Sequence, residues 1–286
     1  MAFLRLVRVN NLFIIFLTMM GIWWSITHNQ EGFAAYIDYF LVILFTLLIA
    51  AAGNVINDYF DIKSDRLNKP EKMIVTKKIK KRWAIVIHWG LNAFALCLSI
   101  YLTWKFNSIF YILIHFFSTL ILWCYSLFIK RWLFWSNFTI AFLIALTIFV
   151  SLKALNTYVH HFDKIIIYYF FAGFAFLINL AREILKDVED MEGDKLRNVQ
   201  SIALVYGVSK ARTIAVIILI TYIPVLLVGS LTLQMPSDLR FTSFFYSSVA
   251  ISIMAALLLV LGKQEKKINQ LLKISMAVGV VSIYFV

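Results

Sequence analysis

Cysteine and proline are both scarce in this chain, with two of the first and three of the second in 286 residues. The two thiols, Cys97 and Cys124, give neither a disulfide framework nor a zinc-ligand spacing. Both fall inside apolar runs and read as buried thiols. Pro224 is the only proline within a long apolar run, so the broken helices that build mid-membrane transporter sites have little basis here. The chain carries no G-x-S-x-G elbow, no Walker loop and no calcium loop with its central glycine. It also lacks the D-G-x-x-A-R pattern of CDP-alcohol phosphotransferases, since Tyr59 and Phe60 follow Asp58. The apolar runs do not alternate over ~10 residues as barrel strands do. The first run is followed by no small-residue cleavage pattern and reads as a spanning helix rather than a cleaved leader.

What is present is mostly oil: 62% of the residues are hydrophobic, well above the ~45–50% of soluble domains. A spanning helix needs about 20 mostly apolar residues. Nine runs qualify, at 9–27, 36–56, 83–104, 108–129, 132–152, 165–181, 213–233, 241–262 and 270–286. Helices are required because lipid offers the backbone no hydrogen-bond partner. The expectation is an all-α, nine-helix polytopic membrane protein, folded as one domain over 1–286. The net charge of +12 points to orientation rather than to nucleic acid. With the N-terminus placed in the cytoplasm, 23 of the 27 basic residues fall on the cytoplasmic side, as the positive-inside rule demands. The C-terminus then lies on the opposite side, and the cytoplasmic lysines also suit anionic membrane lipid. His88 and His115 sit inside apolar runs and read as core residues.

Acidic residues are few, 15 in all, and ten of them fall in two cytoplasmic clusters. The first follows the second run with Asp58, Asp61 and Asp65; the second follows the sixth run with Asp187, Asp190 and Asp194. Both have offsets of 0, 3 and 7, one face of a helix. Like charges on one face repel. Hard cations reverse that cost, since Mg²⁺ takes oxygen ligands and binds through carboxylates together with substrate phosphates. Asn54, Asn57 and Glu183 extend the ladders toward the membrane. Arg66, Lys69, Lys72, Arg182, Lys186, Lys195 and Arg197 lie near enough in sequence to neutralise further phosphate charge.

Residues 53–70, GNVINDYFDIKSDRLNKP, resemble the first signature of the UbiA superfamily of intramembrane prenyltransferases, N-D-x-x-D-x-x-x-D. Residues 182–195, REILKDVEDMEGDK, resemble its second aspartate motif. Arg8 and Asn11 are similar to the pair that opens helix 1 in that family, and YSLFIKR (125–131) to the stretch after helix 4. The resemblance implies a nine-helix bundle with a cavity open to the cytoplasm. It also implies an Mg²⁺-dependent enzyme that transfers an isoprenyl group from its diphosphate to a lipid-like acceptor. Asp58, Asp61, Asp65, Asp187, Asp190 and Asp194 would then be the catalytic metal ligands, and Asn54, Asn57, Arg66, Tyr125, Lys130 and Lys186 would bind the diphosphate. The wording is closest to the ether-lipid branch, which implies a geranylgeranyl donor and geranylgeranylglyceryl phosphate as acceptor. Two stretches depart from that branch: KMIVTKK (72–78) stands where it has a Pro-containing segment, and Ser201-Ile202-Ala203 where the family has a TLP-like turn. An aromatic ring of quinone biosynthesis remains the alternative acceptor, and a transporter of a phosphorylated solute the alternative class. The oligomeric state is not legible.

Overall fold

A computed structural model describes residues 1–27, 33–68, 70–156, 165–195, 199–232, 236–262 and 264–286. Among these residues the regular structure is helical, apart from an isolated bridge between Val75 and Ile79. The helices are α1 (Ala2–Leu6), α2 (Val9–Thr27), α3 (Phe33–Phe60), α4 (Ile62–Asn68), α5 (Lys81–Lys105), α6 (Phe110–Leu127), α7 (Leu133–Leu155), α8 (Ile165–Lys195), α9 (Ile202–Tyr206), α10 (Val208–Thr232), α11 (Leu239–Val260) and α12 (Glu265–Ile283). Among the described residues, seven helices are long and apolar enough to cross a bilayer: α2, α3, α5, α6, α7, α8 and α11. The expected count of nine is therefore not reached by that measure. The first half of α12 carries Glu265, Lys266, Lys267, Asn269, Gln270 and Lys273, which dilutes its apolar stretch; α10 has an uncharged apolar run from Thr213 onward, part of which lies outside the described side chains.

The sequence runs ended at 56 and 181, but α3 continues to Phe60 and α8 to Lys195. An apolar count stops at the first charges, whereas a helix stops only where its backbone ladder breaks. The second ladder therefore rides on one helix, as its offsets implied, and the first on α3 and α4 with Asp61 at the turn between them.

Contacts divide the chain into two compact units. One comprises Met1–Phe16, Glu31–Trp132 and Glu192–Val199; the other comprises Leu17–Gln30, Leu133–Met191 and Gln200–Val286. In the first, Leu6, Val7, Ala51, Val55, Ile74, Val75 and Ala84 form a buried core flanked by Tyr59, Ile62 and Ile87. The departing segment 72–78 thus supplies core residues. Gly53 lets α6 come close to α3, because a Cβ there would sit 2.8 Å from the Leu122 methyl carbons. Small residues at such crossings are how membrane helices gain packing contact. His88 is a buried core residue, as expected: one ring nitrogen meets the Ala52 carbonyl at 2.9 Å, and the other accepts from the Trp123 indole at 2.8 Å.

In the second unit, α11 and α12 are joined by serines. The Ser248 hydroxyl donates to the Ser275 carbonyl at 2.8 Å, and the Ser252 and Ser275 hydroxyls meet at 2.7 Å. Tyr284 donates to the Leu17 carbonyl at 2.9 Å, and its ring fills the space beside Gly21. On the outer surface of α5, Phe94 is 72% and Trp104 77% exposed. In water such a surface would be an association site; in lipid it is ordinary. Cys97, expected to be buried, lies exposed on that same surface, while Cys124 is partly covered.

Candidate active site

The first ladder begins on the last turns of α3 with Asn54, Asn57 and Asp58, passes through Asp61, and ends on α4 with Asp65 and Arg66. The helical backbone ladder carries across the break between the two helices. The Asp61 amide donates to the Asn57 carbonyl at 2.9 Å, and the Asp65 amide to the Asp61 carbonyl at 2.8 Å. Each carboxylate therefore keeps a fixed register with its neighbours.

Asp58 is held by Arg8, whose Nη2 donates to Oδ1 at 2.7 Å. Arg8 occupies the turn between α1 and α2 with φ of 55°, in the left-handed region that non-glycine residues seldom occupy. Asp61 is buried, 4% exposed. Its Oδ2 accepts from Asn57 Nδ2 at 2.9 Å and is ion-paired with Lys130. Lys130 lies in the single turn Ile129–Arg131 that follows α6. The other end of the Asn57 amide, Oδ1, is buried with no hydrogen-bond partner. Asp58 and Asp65 share a small cleft with Ile62, Met73, Ile74 and Val75. Asn54 Nδ2 donates to the Val7 carbonyl at 3.0 Å and ties α3 to the α1–α2 turn. Tyr125 is buried on α6, and Arg66 is exposed on α4.

The second ladder lies on the C-terminal turns of α8. Asp187 Oδ2 accepts from Asn137 of α7 at 2.8 Å. One turn earlier, Glu183 is buried and accepts from Arg182 at 2.7 Å and from Lys186 at 2.8 Å. Glu189 accepts from Asn269 of α12. Asp190 is half-buried and Asp194 buried, with the Asp194 carbonyl taking the Val199 amide at 3.1 Å. Among the described residues, no three acidic, histidine or cysteine side chains stand together as a ready-made metal nest. Rungs on one helix rise side by side rather than converge, and their partners here are cations and amides.

Arg8 and Asn137 hold rungs of the ladders, Asp58 and Asp187, and Asn269 holds Glu189 beside the second ladder; sequence reasoning gave none of them that part. Arg8 left a trace as half of the Arg8/Asn11 resemblance; the two asparagines left only their polarity among apolar neighbours. Lys69 and Arg197, expected to be close by, lie outside the described residues.

Spanning helices that end in oxygen-rich, cation-backed turns define a helical integral-membrane protein with its polar site at the helix ends. A family model described as the UbiA prenyltransferase family matches residues 14–277, and the chain belongs to that family as a membrane prenyltransferase. A digeranylgeranylglyceryl phosphate synthase from Korarchaeum cryptofilum (strain OPF8) is 32% identical over 288 residues, covering 97% of this chain and 94% of that one. A solved structure giving insight into digeranylgeranylglyceryl phosphate synthase in membranes matches with a TM-score of 0.70 at 25% identity, over 99% of this chain and 96% of the other. A UbiA homolog from Archaeoglobus fulgidus bound to DMAPP and Mg²⁺ shares the fold, with a TM-score of 0.67 at 18% identity over 100% of both chains.

Proposed function

We propose that the chain transfers a geranylgeranyl group from its diphosphate to geranylgeranylglyceryl phosphate, forming the second ether of an archaeal-type lipid core. The resemblance to synthases of that name supports the reading, as does the Mg²⁺ and isoprenyl diphosphate in a homolog of the same fold. The observation that carries it is the donor chemistry around Asp61. Asp61 Oδ2 accepts from Asn57 Nδ2 at 2.9 Å, and the other end of that amide, Oδ1, is a buried acceptor with no hydrogen-bond partner.

This set fits Mg²⁺, which selects hard oxygen ligands. On the first ladder Asp58, Asp61 and Asp65 would hold such an ion, with Asn57 as a further oxygen; on the second, Asp187, Asp190 and Asp194 would be the ligands. When bound, the metal supplies positive charge that makes the diphosphate a better leaving group. The chain's own cations do related work. Lys130 and Arg8 hold Asp61 and Asp58 in place, and with Arg66 they offer donors to phosphate oxygens. The C1–O bond to diphosphate breaks, the acceptor hydroxyl oxygen bonds to C1, and the hydroxyl proton leaves with the diphosphate. Apolar helices keep water from the allylic cation. In this reading the whole chain, 1–286, works as one domain. Its N-terminus lies in the cytoplasm, its C-terminus on the opposite side of the cell membrane, and its ladders on the cytoplasmic side.

The test uses purified protein with radiolabelled geranylgeranyl diphosphate and two acceptors, geranylgeranylglyceryl phosphate and a phenolic ring. Asp61→Asn and Asp190→Asn should each lower Mg²⁺-dependent transfer at least a hundredfold, the scale of losing a transition-state contact. Full activity in both variants ends the metal assignment, and product from the ring alone ends the ether-lipid assignment.

A further inference from the structure

One turn before the second ladder, the charges on α8 change character. Arg182 and Lys186 both bond the buried carboxylate of Glu183, at 2.7 and 2.8 Å. One acid thus fixes two cations and neutralises only one of them. A third cation, Lys273, comes from α12 and lies within electrostatic range of Arg182 and Lys186 as well as of Glu183 and Glu189. The register of the two helices is set by Asn269, one turn before Lys273, which donates to Glu189. Two further atoms near this turn of α8 have no partner. Arg182 Nε is a buried donor, and Asn179 Oδ1 is an acceptor on a side chain with no exposed surface. Asn179 lies three residues before Arg182, a rise of about 4.5 Å along the helix.

A cluster of three cations against the two carboxylates Glu183 and Glu189, with a spare guanidinium donor, suits a phosphate that needs no metal. Arg and Lys donors recognise phosphate through charge-assisted bonds. The spare acceptor on Asn179 suits a hydroxyl, and in a glycerol phosphate the free hydroxyl sits one carbon from the phosphate-bearing carbon. Resting on the function proposed above, we infer that Arg182, Lys186 and Lys273 form the subsite for the acceptor's phosphate monoester, with Asn179 receiving the acceptor's hydroxyl. Lys186, first assigned to the donor diphosphate, then serves the acceptor. Specificity for a phosphorylated acceptor over a neutral ring follows from these four residues.

Lys273 is the residue to change, because removing Arg182 would strand the buried Glu183. Lys273→Met, Lys273→Arg and the control Lys266→Met are assayed with geranylgeranylglyceryl phosphate, with its dephosphorylated counterpart, and over a donor titration. Lys266 is exposed near the start of α12 and reports general attraction of anionic lipid to the surface. Lys273→Met should raise the KM for the phosphorylated acceptor roughly tenfold to a hundredfold, the loss of one charged hydrogen bond. The KM for donor and for the dephosphorylated acceptor should hold, Lys273→Arg should recover most of the loss, and Lys266→Met should change nothing. A rise in donor KM instead makes the ligand the diphosphate and overturns the subsite. An equal effect on both acceptors, an equal effect of Lys266→Met, or no effect at all overturns it too. If the wild-type protein prenylates only a ring, the proposed function falls and takes the subsite with it; if wild-type selectivity stands and Lys273→Met is silent, the subsite falls alone.

Discussion

Asn57 donates one end of its amide to Asp61 and buries the other without a partner. An unmatched buried acceptor costs about 1–3 kcal/mol, which a ligand can return by supplying a cation or a donor. Asn57→Leu should therefore leave the melting temperature of the metal-free protein nearly unchanged, because relief of that acceptor offsets the lost bond to Asp61, while abolishing the further rise that Mg²⁺ with pyrophosphate gives the wild type. Thermal unfolding in detergent, with and without that pair, checks both halves. A different balance governs Lys130, whose partner Asp61 is buried. Removing one member of a buried pair leaves a costly charge, of the order of 3–5 kcal/mol. Lys130→Met should lower the melting temperature by several degrees, and adding Asp61→Asn should recover most of it. An additive double variant would show that the pair contributes little. At this scale the aspartates were legible because their spacing carries the signal. Arg8, Asn137 and Asn269 were not, because each meets its carboxylate across 50 or more residues of chain, and a pairwise contact of that reach leaves no local pattern.

Helix length was legible only where it coincided with apolarity. α2, α5 and α6 end within a few residues of their predicted runs, since charges or a turn follow closely. α3 and α8 run on because backbone bonding is indifferent to what the side chains face. Glu183 and Lys186, three residues apart, add a pairing that favours the helix. The amides of Asp61 and Asp65 should consequently exchange with deuterium far more slowly than those of an open loop. Peptide-level exchange on the detergent-solubilised protein measures this, and loop-like rates over 58–68 would remove the fixed register from the first ladder.

For the whole molecule, composition announced a membrane protein, and the structure adds which residues face outward. Phe94, Cys97, Tyr101 and Trp104 form one exposed stripe on α5, at the spacing of one helix face. Cys97 should resist a membrane-impermeant maleimide in intact membranes and react once detergent replaces lipid, as mass spectrometry of the labelled protein will show. What the sequence could not reveal is how a segment between helices can be part of the core. Met73, Ile74 and Val75 are buried, and the latter two pack with Leu6, Val7, Val55 and Ala84. A chimera carrying a polar, proline-bearing replacement for 72–78 would leave those four side chains bare beside the Asp58–Asp65 cleft. Substitutions in this connector and in the first turns of the chain are therefore bound to drift together, and a sequence comparison that treats the connector as free to vary will misjudge which changes the enzyme tolerates.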